Sequence, residues 1–233
     1  MLVGYLDSFY ALPQLDQQVH CPWRAYYPAQ KAGAKTPIAV GQFPLILTLN
    51  LPASCGASLA AAGNIVCQLQ LPAHTAPTPT DYPHWLAGQP QLVAANKQAV
   101  KQSLLVIERL LAPQQVNSAH LQAHIQPQHI GVCGDGFGGS VALELLRRSH
   151  LISAASAATN FLASQKWAQA TTKPQLLVQN AAQPGLTPIF KRARKRAYLH
   201  SAAPLTPAAF TQLSATFFAA SFARHPFHLP HPK

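Results

Sequence analysis

Apolar positions along this chain follow two periods, and the switches between them predict its elements. Continuous apolar runs bounded by polar or turn residues mark buried strands. Two such runs are Phe43-Pro44-Leu45-Ile46-Leu47-Thr48-Leu49-Asn50 and Asn64-Ile65-Val66-Cys67-Gln68-Leu69-Gln70-Leu71. The short join between them has room for one very short helix, at 58–62. Residues 72–90, rich in proline, threonine and histidine, predict a long loop. From 91 to 112 the period becomes helical, with Val100, Leu104, Ile107 and Leu111 on one face and Lys101, Gln102, Glu108 and Arg109 mostly on the other. A strand at 129–134 and a helix at 138–148 follow. Further strands are expected at 152–158, 175–179 and 196–201, and further helices at 188–194 and 207–223. Ahead of all these, residues 1–42 read as an extended leading segment, with short strands around 19–27 and a flexible polar piece at 30–36. Strands alternating with helices predict an α/β fold, a mostly parallel sheet with helices on both faces. A single domain over 1–223 and a His/Pro-rich tail over 224–233 complete the expected layout.

Composition agrees with a folded globular chain. The 233 residues are 48% hydrophobic, with mean hydropathy +0.06, enough for one full core. No apolar run reaches the roughly 18–20 residues that span a bilayer. The start Met1-Leu2-Val3-Gly4-Tyr5-Leu6-Asp7 has no basic region followed by an apolar core, so no signal peptide is expected. Cys21, Cys55, Cys67 and Cys133 show no close pairing, and Cys67 and Cys133 sit in apolar runs as expected buried thiols. A cytoplasmic, reducing location follows as the expectation, with no cofactor and no metal. Charge changes the picture more: 17 Lys and Arg face 6 acids, giving +11 with neutral histidines. A basic surface attracts nucleic acid, anionic membrane or acidic protein. The dense run is Lys191-Arg192-Ala193-Arg194-Lys195-Arg196. It reads either as a solvated helix end or as a polyanion site.

Candidate chemistry centres on Ile130-Gly131-Val132-Cys133-Gly134-Asp135-Gly136-Phe137-Gly138-Gly139-Ser140-Val141-Ala142-Leu143. This is a buried strand, a tight turn and a helix, the layout of the G-x-S-x-G nucleophile elbow. Here the motif reads Gly134-Asp135-Gly136-Phe137-Gly138, with no serine, cysteine or aspartate at its centre. The central residue of such a turn takes φ above zero, which costs a side-chain-bearing residue about 1–3 kcal/mol. Glycine takes it without a Cβ clash. Losing the nucleophile therefore stabilises the turn while removing its chemistry. The alternative is a plain glycine-rich turn, such as a phosphate-cradling loop.

With these residues in view, the chain resembles the bacterial α/β-hydrolases related to platelet-activating-factor acetylhydrolase and dienelactone hydrolase. The resemblance covers most of the length. It is carried by Trp23-Arg24-Ala25-Tyr26-Tyr27-Pro28-Ala29, Phe43-Pro44-Leu45-Ile46-Leu47, Asp81-Tyr82-Pro83-His84-Trp85 and the elbow. It implies a nucleophile, a base, an acid that orients the base, and an oxyanion hole. Each of these positions departs from the pattern. The oxyanion-hole position falls at Asn50-Leu51, the nucleophile at Gly136, the acid near Gln183 and the base near Thr206-Pro207.

Other side chains near these positions offer substitutes. Ser140 lies one turn into the helix, Cys133 on the strand before the elbow, and His200 on the last strand. His74 follows a strand at the rim of the expected pocket and is the better candidate for ligand contact. Asp135 reads as a helix cap, and Glu144 is the other acid near the elbow. The helix start at Gly138 aims backbone N–H groups at the pocket, a physical anion site. The expected ligand-binding set is Asn50, Leu51, His74, Gly136 and Phe137. His225, His228 and His231 share one edge of a polyproline II helix. That edge lacks a neighbouring carboxylate or thiolate for a metal, and a disordered or loosely docked tail is the plainer reading. The expected protein is a non-catalytic homologue that binds a small acyl or anionic ligand, or an acidic protein or polyanion through its basic surface. The alternatives are an esterase-like hydrolase with displaced catalytic residues and a nucleic-acid-associated protein.

Overall fold

The computed structural model describes residues 1–14, 17–71, 82–112, 119–158, 171–180, 190, 197–202 and 205–229. Its strands are β1 (Leu2–Gln14), β2 (Gln17–Ala29), β3 (Gly33–Ala34), β4 (Phe43–Leu49), β5 (Ile65–Leu69), β6 (Ile125–Asp135), β7 (Ala154–Ala158), β8 (Gln175–Asn180) and β9 (Ala197–Ala202). Its helices are α1 (Ala53–Ala61), α2 (Tyr82–Leu111), α3 (Ala119–Gln122), α4 (Phe137–Arg148) and α5 (Pro207–Phe222). The strands form one sheet in the order β3-β1-β2-β5-β4-β6-β7-β8-β9. Only β2 runs against the others, pairing antiparallel with both β1 and β5. The expected mostly parallel sheet is therefore present.

Alternation along the central strands sorts side chains into two cores. Leu45, Leu47 and Leu49 of β4, Ile65, Cys67 and Leu69 of β5, and Ile130 and Val132 of β6 pack with α2 and α4 through Val106, Ile107, Val141 and Leu145. Ile46, Val66 and Cys133 point the other way, to Leu59 of α1 and Phe210, Phe217 and Phe218 of α5. A continuous apolar run is the signature of a strand buried on both faces. Helices do cover both faces.

Several expected boundaries move. The leading segment is a long hairpin, with β1 and β2 paired from Leu2↔Ala29 to Gln14↔Gln17. Since β5 pairs with β2 only from Trp23 to Tyr26, the hairpin overshoots the carboxyl end of β5 by roughly 20 Å at about 3.3 Å per residue. The polar piece at 30–36 is tied down: β3 pairs with β1, Lys35 N–H donates to the Tyr5 carbonyl at 2.8 Å, and the Tyr27 hydroxyl donates to the Thr36 carbonyl at 3.1 Å. The first helix starts at Ala53, earlier than expected, and α2 starts at Tyr82 inside the expected loop. Pro83 occupies the first turn of α2, where a missing N–H removes no helical bond, and the interior Pro90 removes only one. β6 begins at Ile125, because a register shift between Pro44 and Leu45 absorbs residues 127–129. Pro44 and Pro127 cannot donate to the ladder, which explains the irregularity. The expected helix at 188–194 and the basic run 191–196 lie outside the described residues, apart from Phe190. The tail is docked as far as described: Phe227 is buried, with its ring 5.0 Å from Tyr198 and 5.4 Å from Phe217.

Candidate functional site

The carboxyl ends of β4, β6 and β7 meet at the turn into α4. Gly136 is the N-cap of α4 with φ 55° and ψ −118°, a conformation that strains any residue with a Cβ. Its N–H donates to the Ala158 carbonyl at 2.9 Å, and its carbonyl accepts from Ser140 N–H at 3.1 Å. The flanking glycines are fixed by contact rather than by dihedral. A Cβ on Gly134 would lie 2.4 Å from the backbone carbonyl of Gly138, and one on Gly138 would lie 2.4 Å from the Leu49 oxygen. Strand, turn and helix are thus pressed together with no room for a methyl group. The same contact sets the Asn50-Leu51 corner beside the Gly136-Phe137 turn.

At that corner Asn50 takes φ 55°, a left-handed conformation that asparagine tolerates better than most residues. Its Oδ1 accepts from Leu71 N–H at 2.8 Å and its N–H donates to the Leu69 carbonyl at 3.3 Å. The Asn50 amide oxygen therefore staples the ends of β4 and β5. Leu51 and Phe137 are buried, 4% and 2% exposed. Their side chains belong to the core, so only their backbone faces the turn.

Each substitute for a missing catalytic group has a structural occupation. Ser140 is fully buried and its hydroxyl donates to the Gly136 carbonyl at 3.4 Å. Cys133 is fully buried, and burial pushes its thiol up to about 12 against the smaller opposing effect of hydrogen bonds to Ser214 and Ser156. A thiol so protonated is a poor nucleophile at neutral pH. Asp135 ends β6, and the cap position it was expected to take belongs to Gly136. Glu144 is 2% exposed and held by Arg147 at 2.8 Å and by Arg148. Burial raises its pKa, but these two arginines outweigh it and hold the carboxyl below its usual range. Thr206, the base position, is the N-cap of α5, its Oγ1 accepting from Ala209 N–H at 3.2 Å. His200 stands on β9, the outermost strand, with its buried Nε2 unpartnered among the described residues. His74, Gln183 and the run Lys191, Arg192, Arg194, Lys195 and Arg196 lie outside the described residues. Among the described residues no three His, Cys, Asp or Glu side chains form a metal-binding group.

Sequence reasoning missed a second feature of the same sheet. Asp7, Arg24, Gln68, Thr48, Cys133 and Ser156 are successive register partners across six strands. A polar row thus crosses the face covered by α1 and α5, and it ends where Ser156 meets Ser214 of α5 at 2.7 Å. Its only trace in sequence is the alternation of Gln68 and Gln70 within an apolar strand.

No protein-family model matches this sequence, and no curated protein matches it. Solved structures do. The ferulic acid esterase from Streptomyces cinnamoneus superposes with a TM-score of 0.68 at 15% identity, over 96% of this chain and 89% of the esterase. The AtxE2 isopeptidase superposes in its apo form with a TM-score of 0.67 at 14% identity, over 98% of this chain but 42% of the isopeptidase. A second form, with Astexin3-dC4 bound, gives 0.66 at 14% identity. Sheet order, two-sided helical layers and the strand–turn–helix elbow define a protein of the α/β-hydrolase fold. Among the described residues no helix is long and apolar enough to cross a membrane.

Proposed function

We propose that this chain is a non-catalytic homologue of α/β-hydrolase fold that binds a small acyl or anionic ligand at the carboxyl edge of its sheet. The observation that carries the reading is Gly136, a residue without a side chain in the strained centre of an otherwise intact elbow. Three further points support it. The Asn50 amide oxygen is engaged by Leu71, Thr206 caps a helix, and burial raises the pKa of the Cys133 thiol. The first turn of α4 supplies helix-terminal amides that suit a carboxylate or an acyl oxygen. The basic surface offers a second mode, an acidic protein or polyanion partner, distinguished by steep weakening with salt.

The test is purified protein on short-chain aryl esters, with a fluorophosphonate probe read by mass spectrometry and Gly136→Ser alongside. The parent chain is expected to show neither turnover nor adduct. Gly136→Ser is expected to remain without turnover, since no base or acid stands at the matching positions. An adduct or turnover in the parent would overturn the reading in favour of a hydrolase with displaced catalytic residues, and the labelled residue would identify the nucleophile.

A further inference from the structure

Away from the elbow, at the β2–β5 side of the sheet, lies a cleft of about 400 Å³ lined by Asp7, Arg24, Tyr26, Gln68, Gln70 and the first residue of α1, Ala53, among others. That volume is in the range of small-ligand sites. The β4 strand separates β5 from the elbow strand β6, so the cleft floor stands roughly 10 Å from the elbow at about 4.8 Å per strand. From these groups we infer that the cleft is a binding site for a neutral, multiply hydroxylated ligand, a sugar ring or polyol. The inference does not depend on whether the elbow is catalytic.

Three parts of the lining are held in place. Arg24 donates to Asp7 through Nε at 2.5 Å and through Nη2 at 2.8 Å. Its guanidinium also lies over the Tyr5 ring, 5.4 Å from the centroid. The Gln68 amide nitrogen donates to the Leu51 carbonyl, which fixes the side chain and leaves Oε1 as its acceptor. The wall is set by Gly56 of α1. A Cβ there would lie 2.6 Å from the Tyr26 ring and 3.5 Å from Gln68 Oε1, so only glycine lets α1 sit this close.

The chemistry of these groups selects the ligand. The bidentate pair and a further hydrogen bond to Tyr26 engage part of the guanidinium, leaving the rest of its five N–H groups beside Asp7 oxygens that still hold lone pairs. Gln68 on β5 adds the acceptor Oε1, and Gln70, just past the strand's end, adds a full amide group. Donors and acceptors are therefore interleaved, and the Asp–Arg pair carries no net charge. A free anion gains little here because the Asp7 carboxylate opposes it. Adjacent hydroxyls, each both donor and acceptor, match planar groups of this kind, and Pro22 in the same lining supplies apolar surface for the C–H face of a ring.

The experiment is saturation-transfer difference NMR on the full chain with methyl glycosides of glucose, galactose and mannose, and with acetate and inorganic phosphate as the anionic arm. At least one glycoside is expected to bind saturably below about 10 mM. Gln68→Leu and Arg24→Gln should each weaken it about tenfold, and so should Gln70→Ala, an exposed position whose change leaves the core intact. Asp7→Asn is expected to lower glycoside affinity and to let acetate displace the glycoside, because Arg24 loses its counter-charge. The inference is overturned by no glycoside signal in the parent protein, by a signal that Gln70→Ala and Gln68→Leu both leave unchanged, or by acetate or phosphate displacing the glycoside; anion binding that leaves the glycoside signal intact belongs to the elbow.

Discussion

Three glycines of the elbow are required for different reasons, and substitution separates them. Gly134 and Gly138 stand against backbone atoms that cannot rotate away. Alanine at either is expected to destabilise the fold by at least about 3 kcal/mol, the upper end of overpacking effects. Gly136 is a matter of dihedral strain, and Gly136→Ala should cost about 1–3 kcal/mol. Urea unfolding midpoints for the three variants check the order; a Gly138→Ala midpoint equal to the parent's would show that α4 does not press on β4. Cys133 offers a second test at this scale. With its thiol pushed up to about 12 by burial, almost none is thiolate at pH 8. Iodoacetamide is therefore expected to leave Cys133 unlabelled in the native protein and to label it after denaturation, read by peptide mass spectrometry. Rapid native labelling would contradict the buried, inert assignment.

Helix ends and helix faces set the next scale. Thr206 caps α5 ahead of Pro207, whose fixed φ suits a first helical position. Thr206→Ala is expected to lower stability by about 1 kcal/mol, a change visible in thermal unfolding, while catalytic tests are unmoved. On α4, Glu144 engages Arg147 and Arg148 one turn on. Because its folded pKa is lowered from the ordinary value of 4.5, its stabilising effect is fully present above that value. The effect is lost as pH falls through the lower folded value. Glu144→Gln should therefore be less stable than the parent at pH 7, by about 1–2 kcal/mol after allowing for the partly exposed arginines. The difference should shrink below pH about 4.5. Unfolding curves at several pH values measure this, and a difference that persists at pH 3 would assign the loss to packing instead.

For the molecule as a whole, the excess of cations is the dominant property. The 17 Lys and Arg outnumber the 6 acids nearly threefold, and two of those acids, Asp7 and Glu144, are already engaged by arginines. Duplex DNA is expected to bind at low salt without sequence preference, its affinity falling linearly on a log–log salt plot. Replacing the five cations of 191–196 with glutamine should flatten the slope by up to about 0.9 per lost phosphate contact. Fluorescence anisotropy across a salt series decides it. Affinity that survives high salt and discriminates sequences would make nucleic acid a specific partner.

What the sequence alone determined was local. The runs around Leu45–Leu49 and Ile65–Leu69 announced doubly buried strands because a strand covered on both faces needs no polar alternation. The elbow was legible because its strand, turn and helix are contiguous, and glycine at 136 is visible without coordinates. Prolines hid other features: Pro83 and Pro90 read as loop, although one sits in a first turn and the other breaks a single bond of a 30-residue helix. Tertiary structure alone decided what depends on partners distant in the chain. The pairing of Arg24 with Gln68, and of Thr48 with Cys133, is a matter of register between strands that tight packing selects. So the polar row and the cleft, unlike the elbow, exist only once the sheet has closed.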